Sequence, residues 1–169
     1  TLMMGVGVYR IPNVDLKATC VFTNTTSVAA YRGAGRPEAC YYVERLIDLV
    51  AQELGKPPED IRRKNFIPSG AFPYETPTGQ RYDSGEYDRA LTRALALARL
   101  GELRAEQRER LTRGDGRLLG IGMSCYVEMC GFGPFESAVV RVEPGGAVTA
   151  YTGTSSHGQG HETTFAQII

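Results

Sequence analysis

An α+β fold built in two layers is the class this sequence predicts, and three observations carry it. Apolar residues recur at the helical period through the earlier part of the chain. After Gly114-Asp115-Gly116 the pattern changes to the alternation and β-branched content of strands. Glycine and proline punctuate each change at positions where helices start and stop. At 169 residues the chain is long enough for one domain with its own core, or for parts of two smaller ones.

A short strand is expected over residues 18 to 23, before the polar turn Asn24-Thr25-Thr26-Ser27. The loop Ala30-Tyr31-Arg32-Gly33-Ala34-Gly35-Arg36-Pro37-Glu38 follows directly. Pro37 suits a first helical turn, and Ala39, Val43, Leu46, Ile47, Val50 and Leu54 then recur at helical spacing until Gly55 and Pro57-Pro58 end the helix. A second helix from Pro58 to about Lys64 opens on Glu59 and Asp60 and closes on Arg62, Arg63 and Lys64, the order that the helix dipole favours. Residues 68 to 82 read as an ordered loop. Ser84 is placed to cap a third helix carrying Tyr87, Leu91, Ala94, Leu95 and Ala98 on one face, and the charged run from Glu102 to Arg113 is a solvated helix or linker.

Strands are expected at Leu118 to Val127, Ser137 to Val142 and Ala147 to Tyr151, with Pro144-Gly145-Gly146 as a hairpin turn between the last two. A glycine-bearing loop over 153 to 160 then opens a helix near His161, expected to turn Phe165, Ile168 and Ile169 inward. The chain opens on Thr1 and closes on Ile168-Ile169 inside this helix, so an internal fragment of a longer protein is the expectation.

Charge narrows the class of partner. Lysine plus arginine number 19, as do aspartate plus glutamate, so no basic field gathers nucleic acid or an anionic membrane surface. No run approaches the roughly 20 apolar residues of a membrane span, and no export signal is recognisable, so a cytoplasmic protein with a small-molecule substrate is expected. Cys20, Cys40, Cys125 and Cys130 lack the spacing of a zinc knuckle and read as reduced structural thiols.

Two loops carry the chemistry. A strand-to-helix corner at Gly153 to Thr164 aims free backbone N–H groups and the positive end of a helix dipole at whatever sits there, which suits an anion. Gly158 and Gly160 admit a close ligand, and Gln159 offers both a donor and an acceptor; glycines kept for steric reasons alone are the plainer reading. A metal site on His157 and His161 needs further ligands, with Glu162 the only near candidate, so capping is the better role for them. In the first loop, Gly33 and Gly35 lie between two arginines. Arg32 can neutralise a buried anion or a metal-bound oxygen, or simply pair with a carboxylate.

Together and in order, these loops resemble the molybdenum hydroxylases. The Arg32 loop, Glu44-Arg45-Leu46-Ile47-Asp48 and Ile61-Arg62-Arg63-Lys64-Asn65-Phe66 are similar to the central part of the xanthine dehydrogenase and aldehyde oxidase family. Tyr82-Asp83-Ser84-Gly85, Gly120-Ile121-Gly122 and Gly158-Gln159-Gly160-His161-Glu162-Thr163-Thr164 resemble the aerobic carbon monoxide dehydrogenase large-subunit branch. The resemblance covers essentially the whole chain.

It implies two molybdopterin-binding subdomains of a larger subunit: residues 1–72 ending the first, 73–115 connecting, and 116–169 beginning the second. The cofactor implied is molybdopterin cytosine dinucleotide with molybdenum, serving hydroxylation of an aldehyde or N-heterocycle with oxygen from water. Partners implied are an iron–sulfur small subunit and a flavin (FAD) medium subunit, in a dimer of heterotrimers. By resemblance Arg32 lies beside the molybdenum, with Tyr31 and Gly33 as backbone neighbours, and Gln159 meets the pterin between Gly158 and Gly160.

Departures from the pattern are informative. Gly33 stands where carbon monoxide dehydrogenases place a copper-holding cysteine, and Ala34 where purine-type enzymes place a substrate-stacking phenylalanine. The family's upstream glycine-rich loop and its C-terminal general-base glutamate have no counterpart here, and neither Glu128 nor Glu162 matches that motif. The fragment is therefore expected to be inactive alone. Carbon monoxide oxidation, a non-catalytic phosphate- or nucleotide-binding module, and a structural remnant are the other readings.

Overall fold

The structure is a computed structural model that describes residues 1–114, 116–129 and 135–169. Asp115 of the glycine turn and Cys130 lie outside the described residues. The chain divides into two compact units, Thr1–Glu128 and Met129–Ile169, and its fold is α+β, with helices and small antiparallel sheets.

In the first unit, α1 (Arg36–Glu53) begins after Gly35 and carries Pro37 in its first turn, where the missing N–H costs no helical bond. It ends in a Schellman motif: Lys56 N–H donates to Ala51 O (2.9 Å) and Gly55 N–H to Gln52 O (3.1 Å). Gly55 adopts φ +58°, a conformation that side chains resist. Ala39, Val43, Ile47 and Ala51 face inward, while Leu46, Val50 and Leu54 of the expected apolar stripe are exposed. α2 (Pro58–Asn65) has the acidic first turn and basic last turn that the sequence indicates.

Residues 68 to 82 hold a 3-10 turn, Ser69–Ala71, and a small hairpin of β1 (Tyr74–Glu75) and β2 (Arg81–Tyr82). α3 (Tyr87–Leu97) begins after Glu86, not at a Ser84 cap, because Ser84 Oγ is turned to Asp83 (3.3 Å). It buries Leu91, and Tyr87 and Leu95 pack on the core. The charged run is helical, α4 (Leu100–Arg113), tied to α2 by Arg104 and Glu59 at 2.7 Å.

The core joins α1, α2 and α3 to a segment that periodicity does not reveal. Val8 and Tyr9 are buried with Val43, Ile47, Ile61, Phe66 and Leu91, and Tyr9 stacks on Phe66 at 5.8 Å. Backbone bonds from Arg10 N to Asn65 O (2.8 Å) and from Ile67 N to Val8 O (3.1 Å) fix this segment. Each aliphatic side chain so buried contributes about 1.5–3 kcal/mol.

Two expected strands are absent. Residues 18 to 23 pair with no strand among the described residues and are exposed, so the run has the composition of a strand without a ladder to satisfy its backbone. Residues 118 to 127 likewise belong to no sheet, and helix side chains reach their backbone instead.

In the second unit, β3 (Ala138–Val142) and β4 (Val148–Thr152) form the expected antiparallel hairpin, with Val140 opposite Ala150. Gly146 turns it at φ +86°, and Glu143 N–H donates to Ala147 O at 2.8 Å. α5 (His161–Ile168) follows Gly160. Its apolar residues are not turned into a core: Ile168 is 75% and Ile169 55% exposed, and Phe165 instead stacks on His161 at 4.8 Å. A two-stranded hairpin exposed on both faces offers them no inner surface.

Candidate functional site

A pocket of about 480 Å³ opens at the N-terminus of α1, between the Arg32 loop and residues 124–128. Gly33 lines it at φ +80°, and the position a Cβ would take there has no atom within 4 Å, so backbone lies open to a ligand. The turn is tight, with Ala34 N–H donating to Tyr31 O (2.8 Å) and Arg36 N–H to Gly33 O (2.9 Å). No side chain caps the start of α1. Of the first-loop residues singled out by sequence, only Gly33 lines the pocket; Tyr31 and Arg32 are exposed.

Cys40 and Ser124 are polar lining that sequence reasoning did not single out, and they are joined by Arg36 of the first loop and by Glu128, which matches no general-base motif. Arg36 Nε and Glu128 Oε1 form an ion pair at 2.6 Å, half-buried on the arginine side. Cys40 Sγ and Ser124 Oγ share a hydrogen bond at 3.1 Å. Burial, and then the charge of Glu44, push the Cys125 thiol up to about 11, so it is protonated at neutral pH and is no nucleophile there.

Behind the pocket sits a buried ionic cluster. Arg62, fully buried, donates from Nε (3.0 Å) and Nη2 (2.8 Å) to Glu44 Oε2, and from Nη1 to Asp48 Oδ1 at 2.9 Å. Glu44 Oε2 also accepts the Cys125 N–H at 2.8 Å, while its Oε1 accepts the Tyr9 hydroxyl in a short bond. Arg62 Nη2 reaches Met123 O at 3.1 Å. Burial is the largest influence and opposes the arginine's charge, yet the hydrogen bonds and charges of Glu44, Tyr9 and Asp48 together raise its pKa. Tyr9 is raised by burial and by Glu44. A sequence signal existed: Glu44 and Asp48 adjoin Val43 and Ile47 on the inward face of α1, and a charge at such a position requires a partner.

The second loop lies in the other unit. Gly158 (φ +92°) and Gly160 (φ +71°) are left-handed, and no atom lies within 4 Å of a Cβ built at Gly160. Gln159 folds over its own loop, accepting the His157 N–H on Oε1 (2.5 Å) and donating from Nε2 to Ser155 O (3.5 Å). His157 Nδ1 lies 3.2 Å from the same carbonyl. No side chain caps α5. No cluster of three His, Cys, Asp or Glu side chains able to hold a metal occurs among the described residues.

In the first loop Gly33 leaves backbone open two residues before Gly35, the N-cap of α1, where a Cβ would meet Thr1; in the second, Gly160 is itself an open N-cap, and each loop suits an anionic group held by main-chain N–H groups. Family comparison agrees: models of the molybdopterin cofactor-binding domain match residues 1–66 and 93–169, and the chain belongs to that family. It is 43% identical, over 96% of its own length, to the carbon monoxide dehydrogenase large chain of Afipia carboxidovorans. It is 39% identical, over 96% of its length, to the 6-hydroxypseudooxynicotine dehydrogenase complex subunit gamma of Paenarthrobacter nicotinovorans. Among solved structures, quinoline 2-oxidoreductase from Pseudomonas putida 86 superposes with a TM-score of 0.84 at 36% identity, over 98% of this chain. The chain spans about a fifth of each relative: 22%, 21% and 22% respectively. Among the described residues no helix is long and apolar enough to cross a membrane.

Proposed function

We propose that this chain is the part of a molybdenum hydroxylase's large subunit that cradles the cofactor, in an enzyme oxidising an aldehyde or N-heterocycle with oxygen from water. The observation that carries this is the pairing, in family order, of two open-glycine loops that each start a helix. Residues 1–72 would end one cofactor-binding subdomain, 73–115 connect, and 116–169 open the next. When bound, molybdopterin cytosine dinucleotide supplies the redox chemistry.

The chain's own residues hold and orient. Gly33 and Gly160 let main chain approach the ligand, with Tyr31 and Gly158 setting the turns. Arg32 would supply positive charge toward the bound cofactor, and Gln159 would offer its amide to it in place of its present bonds to His157 and Ser155. Electrons would leave through iron–sulfur and FAD subunits, in a dimer of heterotrimers in the cytoplasm. Carbon monoxide oxidation is the second reading, favoured by the 43% identity to that enzyme's large chain and disfavoured by Gly33 at the copper-holding position.

The test is to purify the full-length protein with its partners and measure molybdenum, released cytosine nucleotide and turnover of aldehydes, N-heterocycles and carbon monoxide with an artificial acceptor. Arg32→Ala and Gln159→Ala are expected to lower cofactor occupancy and turnover without unfolding the subunit. Wild-type molybdenum content and turnover in both variants refute the assignment.

A further inference from the structure

We infer that Glu44 and Arg62 are positioning residues whose joint hold on Met123 and Cys125 sets the wall of the pocket beside the Arg32 loop. Residues 117–128 form no regular secondary structure and have no strand partner among the described residues. Such a segment keeps its place only if other groups satisfy its backbone. Side chains do so at three points: Gln107 Nε2 donates to Leu119 O (2.8 Å), Arg62 Nη2 to Met123 O (3.1 Å), and Cys125 N–H to Glu44 Oε2 (2.8 Å). The last two bracket a single residue, Ser124, which faces Cys40 across the pocket. Met123, Cys125 and Val127 pack on the core, and three residues beyond Cys125 the chain reaches Glu128, the partner of Arg36.

Asp48 marks the distinction between holding helices together and placing the wall. Both carboxylates bind Arg62, yet only Glu44 also binds the segment. Glu44 also takes two Arg62 bonds and the Tyr9 hydroxyl, so a role limited to joining α1 to α2 predicts loss spread over the helices, whereas a role in placing the wall predicts loss greatest in the segment. Glu44→Gln keeps shape but removes the charge that lets one oxygen serve Arg62 and Cys125 together.

Relevance to a cofactor rests on the function proposed above, so the experiment reads the segment directly. Hydrogen exchange by mass spectrometry is measured on the full-length subunit as wild type, Glu44→Gln and Asp48→Asn. Expected for Glu44→Gln is exchange at 121–128 accelerated at least tenfold more than that of amides inside α1 and α2, which themselves quicken because one side of the buried pair is lost; Asp48→Asn shows no such excess in the segment. The same segment excess in Asp48→Asn, or an acceleration in Glu44→Gln no greater at 121–128 than in α1 and α2, overturns the inference. Molybdenum content of the same samples separates the two questions: localised exchange in a subunit that never contains molybdenum upholds the positioning role while removing the molybdenum reading.

Discussion

Replacing Arg62 by methionine in the full-length subunit removes a fully buried cation and leaves Glu44 charged beside it. Two hydrogen bonds to Glu44 Oε2, one to Asp48 and one to Met123 O are lost, while Tyr9 and Cys125 still serve Glu44. Breaking a buried pair from one side costs about 3–5 kcal/mol, and the two surviving donors place this case near the lower end. At about 1.4 kcal/mol per decade, the most protected amides of α2 should exchange about two decades faster, provided they open through the local unfolding that the ion pair resists. The companion Glu44→Gln/Arg62→Met removes the stranded charge and should recover more than half of that loss. Mass-spectrometric exchange on peptides covering α2 reads both. A change under tenfold in Arg62→Met, or a double variant no better than the single one, refutes the claim that the pair's burial makes it costly to break.

Other expectations follow from single residues. Alkylation of Cys125 by iodoacetamide should show its inflection near pH 11 and trail exposed Cys20 at pH 8; an inflection at or below 9 contradicts the burial argument. Because the folded thiol lies above the ordinary value of 9.0, its contribution to stability is full below pH 9 and is lost as pH rises toward 11, which alkaline melting curves will reveal. Gly55→Ala forces a side chain into φ +58° at the end of α1 and should cost about 1 kcal/mol, seen as faster exchange of the last turn; an unchanged rate would mean the Schellman geometry is not retained.

The local elements were legible because their signals are local. Pro37 and Gly55 bound α1, the acidic and basic ends define α2, and Pro144-Gly145-Gly146 turns the hairpin. The alternation at 118–127 predicts a strand that the structure lacks, since period two reports which side chains face the core and not what satisfies the backbone. Residues 18–23 show the same gap. Long-range partners escaped: Glu44 and Arg62 stand 18 positions apart, Arg36 and Glu128 farther, and Val8 and Tyr9 enter the core from a stretch with no helical period. At the candidate site the glycines were legible through their conformational demands, and Gly33 does line the pocket. Its wall was not, because nothing in Ser124 or Cys125 by itself announces Cys40 or Glu44 as a neighbour.

A β-ladder fastens a strand through every second backbone group and so ties together whatever each residue contributes. The wall at 123–128 is fastened differently, by two side chains gripping the main chain of Met123 and Cys125. Cys125 is both gripped and part of the lining, so the hold acts directly on the pocket's edge. Tyr126 can be exchanged for a larger or smaller side chain without shifting a register, because there is no register to shift, whereas Ser124 and Glu128 carry bonds to Cys40 and Arg36. For an engineer wishing to re-cut the pocket for a different molecule, Tyr126 is the place to begin, with Glu44 and Arg62 left alone.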